Sequence, residues 1–197
     1  MSELKPQGLK KSQILLYGFF GRFLNTFYLM FLAYNRLFYL TNVLQLSTQI
    51  SAVVNTLSVW GNVVTMLLAG AIIEKFTFKS GKFRTWTIIG GIVVGIAFTL
   101  LFANFGLSQG VAGALFVVMF VIQSIGYNTL WVAERSLVGP MSTTAADANS
   151  LAMVAQQGST LGGLIYGVVN PFIMKAVGDN YTWTALVYGL FIVLGTL

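Results

Sequence analysis

Six runs of mainly apolar residues, parted by short breaks rich in turn formers, dominate this chain and limit what it can fold into. A helix needs about 20 such residues to cross the hydrocarbon layer of a bilayer, where every backbone polar group must be satisfied within the protein. The runs lie near 13–40, 49–73, 85–104, 111–133, 148–171 and 181–197. Leu46-Ser47-Thr48, the stretch 105–110 and Gly178-Asp179-Asn180 interrupt them. Charge is too scarce for a surface that faces water: only 8% of the residues are charged, against roughly a quarter in soluble domains. The pattern predicts an all-α membrane protein, a six-transmembrane-helix bundle over 13–197 behind a tail of residues 1–12. The first run is too long for the apolar core of a signal peptide, and no small-residue cleavage site follows it, so it belongs to the mature protein. The last run stops at Leu197 with no polar flank, which reads as a chain cut within its sixth span.

What the chain lacks narrows its chemistry. It has no His and no Cys, which removes imidazole acid–base catalysis, thiol nucleophiles, the usual zinc ligands and disulfides. Its five acidic residues are too few for a carboxylate metal cluster. No catalytic residue, metal site or cofactor is expected, and the chain reads as a non-enzyme. A filter loop or a ring of like charges, which a channel needs, is missing as well. The net charge of +6 is not a nucleic-acid footprint, because no stretch alternates basic and aromatic residues. Lys5, Lys10 and Lys11 precede the first run instead, and Lys75, Lys79, Lys82 and Arg84 fill one loop, while the breaks at 41–48 and 103–110 carry no charge. The positive-inside rule then places the N-terminus on the cytoplasmic side of a plasma (inner) membrane.

The runs differ in polarity. The first carries Arg22, Asn25, Tyr28, Asn35 and Arg36, and the second Asn55, Ser58, Asn62 and Thr65 at helical spacing. The fourth carries Gln123, Tyr127, Asn128 and Trp131 and ends in Glu134 and Arg135; the fifth carries Gln156, Gln157, Ser159 and Thr160. The third and sixth are almost purely apolar. A polar-polar-apolar order that occurs twice suggests a three-helix unit used twice. Asn, Gln, Ser and Thr within a membrane often do no more than bond neighbouring helices. Arg22 is different, since an Arg at the bilayer centre costs about 2.5 to 3.5 kcal/mol even on the lower scales and calls for a partner or a wet cavity. Glu134 is the only acidic candidate near it, and it is also the candidate for coupling to protons. Arg36, nearer the outer end, can reach the interface more easily. The candidates for substrate binding are Arg22, Asn25, Asn55, Asn62, Gln123, Tyr127, Trp131 and Gln156. The spacings Gly91-xxx-Gly95, Gly158-xxx-Gly162 and Gly163-xxx-Gly167 permit close helix packing.

The loop between the second and third runs reads Gly70-Ala71-Ile72-Ile73-Glu74-Lys75 and then Lys79-Ser80-Gly81-Lys82-Phe83-Arg84-Thr85-Trp86. It resembles the signature loop of the major facilitator superfamily, and its second part resembles the form found in the glycoside–pentoside–hexuronide, melibiose permease-like cation symporters. The stretch Thr41 to Ser47, Trp60, Ser150-Leu151 and Leu161-Gly162-Gly163 fit the same family. The resemblance covers nearly the whole chain and implies the N-terminal half of a twelve-helix transporter built from three-helix repeats. Such a half pairs with a C-terminal six-helix half, on the same chain, a second chain or a second copy. Its other partners are a small-molecule substrate and the lipid bilayer. The resemblance further implies that Gly70, Glu74, Lys75, Gly81, Lys82 and Arg84 hold a cytoplasmic gate through ion pairs that break and re-form. The acidic positions that it expects on helices one, two and four read Gly21, Gly61, about Thr65 and Trp131, and the basic one on helix five reads Ala155. The expected function is secondary transport of a small polar solute such as a sugar or glycoside. The alternative is a transporter-derived sensor, scaffold or partner subunit that no longer transports, which the replaced carboxylates favour.

Overall fold

The computed structural model describes residues 9–197 apart from 77, 79 and 80, so Lys5, Lys79, Ser80 and most of the 1–12 tail lie outside the described residues. Six helices make up the fold among the described residues: α1 (Lys11–Val43), α2 (Thr48–Lys75), α3 (Lys82–Leu101), α4 (Gln109–Met141), α5 (Ala145–Ala176) and α6 (Tyr181–Thr196). Polar side chains start several of them. The Ser47 hydroxyl accepts from the Ile50 amide, Thr144 and Asp147 form a reciprocal capping box, and Asn180 accepts from the amides of Thr182 and Trp183. Each satisfies backbone donors that a first helical turn leaves open. Gly81 precedes α3 at φ +104°, a conformation that only glycine holds without strain.

Four helices, α1 to α4, are long and apolar enough to cross a membrane. The expectation of six such runs falls short at α5 and α6 for different reasons. Helix α5 has 32 residues, but Gln156, Gln157, Ser159, Thr160 and Asn170 dilute its apolar character. Helix α6 has only 16 residues. Helix α1 is regular α-helix from Arg22 to Phe38 and widens into π turns at Ile14–Gly21 and Tyr39–Val43. Each π stretch accommodates extra backbone per turn and so re-aims the side chains around it.

The helices pack in the order α2, α4, α3, α6, α1, α5, each mainly against its neighbours in that series. Most of these seams close through glycine. A Cβ on Gly90 would stand 2.8 Å from the Gly126 carbonyl oxygen, one on Gly95 3.0 Å from that of Gly189, and one on Gly21 2.9 Å from that of Gly195. At Gly158 the Phe19 carbonyl would be only 2.5 Å away. Gly91, Gly95, Gly158 and Gly162 thus pack as their spacing predicts, whereas the pair Gly163 and Gly167 does not. Nothing lies within 4 Å of a Cβ on Gly167, and Gly163 meets only a Thr26 methyl at 3.9 Å.

The core toward the C-terminal end of α1 is aromatic. Phe31 packs its ring against Phe98, Phe102 and Tyr188 at 5.9, 4.9 and 5.3 Å. Outside it, Gln109 ties the loop before α2 to the start of α4: its Nε2 donates to the Gln45 carbonyl at 2.8 Å, and its Oε1 accepts from the Ser47 amide at 3.3 Å. Not every pair of helices closes this way. The backbones of α1 and α4 rarely come within 8 Å of each other, and long side chains fill the distance.

Candidate functional site

That α1–α4 seam holds a series of polar side chains, arranged in three levels. At the first level Arg22 Nη1 lies 2.7 Å from Glu134 Oε2, and Asn25 Nδ2 donates to Glu134 Oε1 at 3.2 Å. The Tyr17 hydroxyl, on the π turn that precedes Arg22, donates to the backbone carbonyl of Glu134. The Glu134 side chain is 5% exposed and that of Arg22 16%. Charges this far from water persist only when their opposite lies beside them, and here Arg22 faces one carboxylate oxygen of Glu134 and Asn25 the other. The salt bridge is the only one among the described residues.

One level further along α1 the seam is neutral. The Tyr28 hydroxyl donates to Gln123 Oε1, and Gln123 Nε2 donates to the Ser124 hydroxyl at 3.0 Å. The Tyr28 ring leans against Tyr127 at 5.4 Å and against Phe98 at 4.7 Å. At the third level, toward the C-terminal end of α1, the Arg36 guanidinium lies over the Phe120 ring, 5.3 Å from its centroid. Below Glu134, Arg135 covers one face of Trp131 at 4.1 Å.

Arg22, Asn25, Gln123 and Tyr127 therefore come together on one seam, with Trp131 a turn beyond Tyr127 on the same helix. The remaining binding candidates lie elsewhere. Asn62 faces Asn128, whose Nδ2 donates to Asn62 Oδ1 at 3.1 Å and to the Thr65 hydroxyl at 2.9 Å, so it helps hold α2 to α4. Asn55 is half-buried on α2, and its Oδ1 has no hydrogen-bond partner. Gln156 is exposed on α5. A cavity of about 540 Å³ opens on the other side of Glu134, walled by Leu16, Phe20, Arg84, Leu137, Met141 and Leu194 among others.

The loop residues fall at the C-terminal end of α2 and the N-terminal end of α3. Glu74, Lys75, Gly81 and Arg84 are exposed, Gly70 and Lys82 half-buried, and Glu74 makes no ion pair within 4.0 Å among the described residues. Trp86 gives this loop its shape. Its indole N–H donates to the Phe76 carbonyl at 3.3 Å, and the rings of Phe76 and Phe78 meet it at 6.3 and 5.4 Å.

Compared with known families, residues 13–197 match the model of the MFS/sugar transport proteins. The chain belongs to this family. As a member of the MFS/sugar transport family it is a multi-pass membrane protein, homologous to carriers of sugars. The raffinose carrier protein of Pediococcus pentosaceus is 30% identical over 128 residues, which are 58% of this chain and 20% of that protein. The lactose permease of Lactobacillus delbrueckii subsp. bulgaricus is 27% identical over 135 residues, 62% of this chain and 22% of the permease. The chain thus matches about a fifth of the length of either carrier.

Within this family member two features of the seam were not among the sequence candidates. Arg36 shares a helix face with Arg22 at fourteen residues' remove, close to four turns, but only the contact with Phe120 separates it from an interfacial Arg. Tyr17 carries no sequence signal at all, since its reach to Glu134 depends on the π turn.

Proposed function

We propose that this chain forms the N-terminal half of a secondary transporter that moves a small polar solute, a sugar or glycoside, by alternating access. The observation that carries the reading is the buried Arg22–Glu134 pair, held on the seam of α1 and α4 with a cavity behind the carboxylate. A scaffold has no use for an ion pair at this depth, which costs more to bury than apolar packing would. Glu134 is the coupling residue: it takes up and releases a proton as Arg22 alternately engages and leaves it. Asn25, Gln123, Tyr127 and Trp131 line the path of the solute, with Asn55, Asn62 and Gln156 contributing from α2 and α5. The substituted acidic positions leave no hard-oxygen set for sodium in the first two helices, which favours protons over metal ions.

The packing supports two three-helix units. The α1–α5 contact corresponds to that of α4 with α2, α1–α6 corresponds to α4–α3, and α3–α6 lies on the axis between them. Glycine follows the same correspondence, with Gly21 and Gly195 on one side and Gly126 and Gly90 on the other. A C-terminal six-helix half would close the solute path against the open faces of α1, α2, α4 and α5. Glu74, Lys75, Lys82 and Arg84, unpaired with one another here, are then available to it as the inner gate.

The test is uptake of labelled raffinose and lactose by the full-length protein in vesicles, with and without an imposed pH gradient. Accumulation driven by the gradient is expected. Binding without any uptake would replace the transporter reading with the non-transporting one. Orientation is checked separately, since the chain has no cysteine of its own. In intact cells an impermeant thiol reagent is expected to label Asn104→Cys and to leave Lys82→Cys unlabelled; the reverse pattern would place the N-terminus outside.

A further inference from the structure

Tyr17 is the residue of the Arg22–Glu134 site that composition gives no reason to expect, and its presence there has a local cause. On a regular α-helix, residues five apart stand roughly 140° apart around the axis, so Tyr17 and Arg22 would face different neighbours. Helix α1 is not regular at this point. The π stretch Ile14–Gly21 turns by less per residue and delivers both side chains to the same part of α4. Helices α5 and α6 grip that stretch from two sides. The Phe19 carbonyl fills the space over Gly158, and the backbones of Gly21 and Gly195 meet directly. The irregular turn is therefore held in place by its neighbours.

The needs of the fold do not account for the Tyr17 hydroxyl, which donates to the backbone carbonyl of Glu134. That carbonyl lies inside α4, which continues as helix to Met141, so it has a helical partner and accepts a second bond with its other lone pair. Taking the hydroxyl away would orphan no group. The same hydroxyl lies beside the Arg22 guanidinium, and Tyr17 and Glu134 share a wall of the cavity of about 540 Å³. Arg22 thus holds one carboxylate oxygen, Asn25 the other, and Tyr17 the backbone that carries the carboxylate.

We infer that Tyr17 is the positioning residue of the coupling site: it holds the Glu134 backbone where Arg22 can engage the carboxylate again after the proton has left. The inference rests on the transporter reading above, in which Glu134 alternates between charged and neutral. The contacts of Arg22 and Asn25 weaken once the carboxylate is neutral, because the charge that strengthens them is gone. The bond from Tyr17 is made to the backbone and does not depend on that charge. It keeps this part of α4 beside α1 through the neutral part of the cycle. Tyr17 touches neither solute nor proton and acts through Glu134.

Tyr17→Phe removes the hydroxyl and keeps the ring, and since no group is orphaned the variant is expected to fold. The full-length protein in membrane vesicles is assayed with labelled raffinose and lactose, for accumulation under an imposed pH gradient and for exchange without one. Accumulation is expected to fall about fivefold, the worth of one neutral hydrogen bond, while exchange stays within about twofold of native. In the Glu134→Gln background the same substitution should change neither, because the group that it positions is gone. Tyr188→Phe is the control. It removes a tyrosine hydroxyl that donates to Asn170 Oδ1 at 2.8 Å between α6 and α5, and it should leave the ratio of accumulation to exchange as it is. Normal accumulation by Tyr17→Phe, beside a Glu134→Gln protein that has lost it, would overturn the inference and leave the transporter reading intact. Equal losses of accumulation and exchange would overturn it as well, and would make Tyr17 a staple between two helices. If the native protein takes up neither sugar, or if Glu134→Gln accumulates normally, the inference falls with the reading beneath it.

Discussion

A Glu134→Gln variant is expected to lose accumulation of solute against a gradient, by tenfold or more, while it still binds the solute and exchanges it across the membrane. The amide preserves the shape of the carboxylate and can still accept from Asn25, so the local packing survives. What it removes is the charge that Arg22 faces at 2.7 Å and the proton that the site would carry. Stability pays as well. Leaving one member of a buried pair uncompensated costs about 3 to 5 kcal/mol, and the residual exposure of Arg22 puts this case near the lower figure. Thermal melting of the full-length protein therefore gives a second, independent reading. Adding Arg22→Gln to Glu134→Gln is expected to recover part of the lost stability without restoring accumulation, because the stranded charge is gone but the coupling group is not replaced. A Glu134→Gln protein that accumulates solute normally would remove Glu134 from the mechanism and leave it a structural partner of Arg22.

The second large effect is expected at Gly158. A methyl group there would stand 2.5 Å from the Phe19 carbonyl oxygen and 3.2 Å from two further backbone atoms, so helix α5 must move off α1 to admit it. Overpacking of this kind costs about 1 to 3 kcal/mol, and backbone neighbours yield less readily than side chains. Gly167→Ala is the matched control on the same helix. Open space surrounds that position, and alanine gains about 0.5 to 1 kcal/mol over glycine within a helix. Opposite shifts in melting temperature are the expected result. Equal effects at the two positions would mean that α5 does not dock on α1 through Gly158.

The contrast between these glycines shows where sequence reasoning ends. Both pairs on α5 have the same spacing, and only the direction in which the helix presents them to α1 tells them apart. The Arg22–Glu134 partnership was legible because a chain with so few acidic residues offered Arg22 a single candidate. The polar faces of the first, second, fourth and fifth runs were legible for a similar reason, since they stand out against apolar surroundings. Helix ends were less so. Helix α4 runs on to Met141, past the end of the apolar run at 133, because backbone hydrogen bonding continues through Glu134, Arg135 and Ser136 whatever their polarity. The π turns of α1 left no trace in composition, and with them the reach of Tyr17 and the burial of Tyr39 were hidden. Arg36 was visible, yet its placement on Phe120 depends on the register between two helices that lie about eighty residues apart in the chain.

The wide seam between α1 and α4 has a mechanical consequence. Wherever carbonyl oxygens meet glycines, two helices are locked at one spacing, because a shift of a few tenths of an ångström either collides or opens a void. Tyrosine, glutamine and arginine side chains behave differently, since they can lengthen, swing or exchange partners by changing rotamer while both helices stay intact. The bundle is thus stiff along its glycine seams and compliant along one line. A load applied to this half of the molecule would be relieved first along that line, where the ion pair lies.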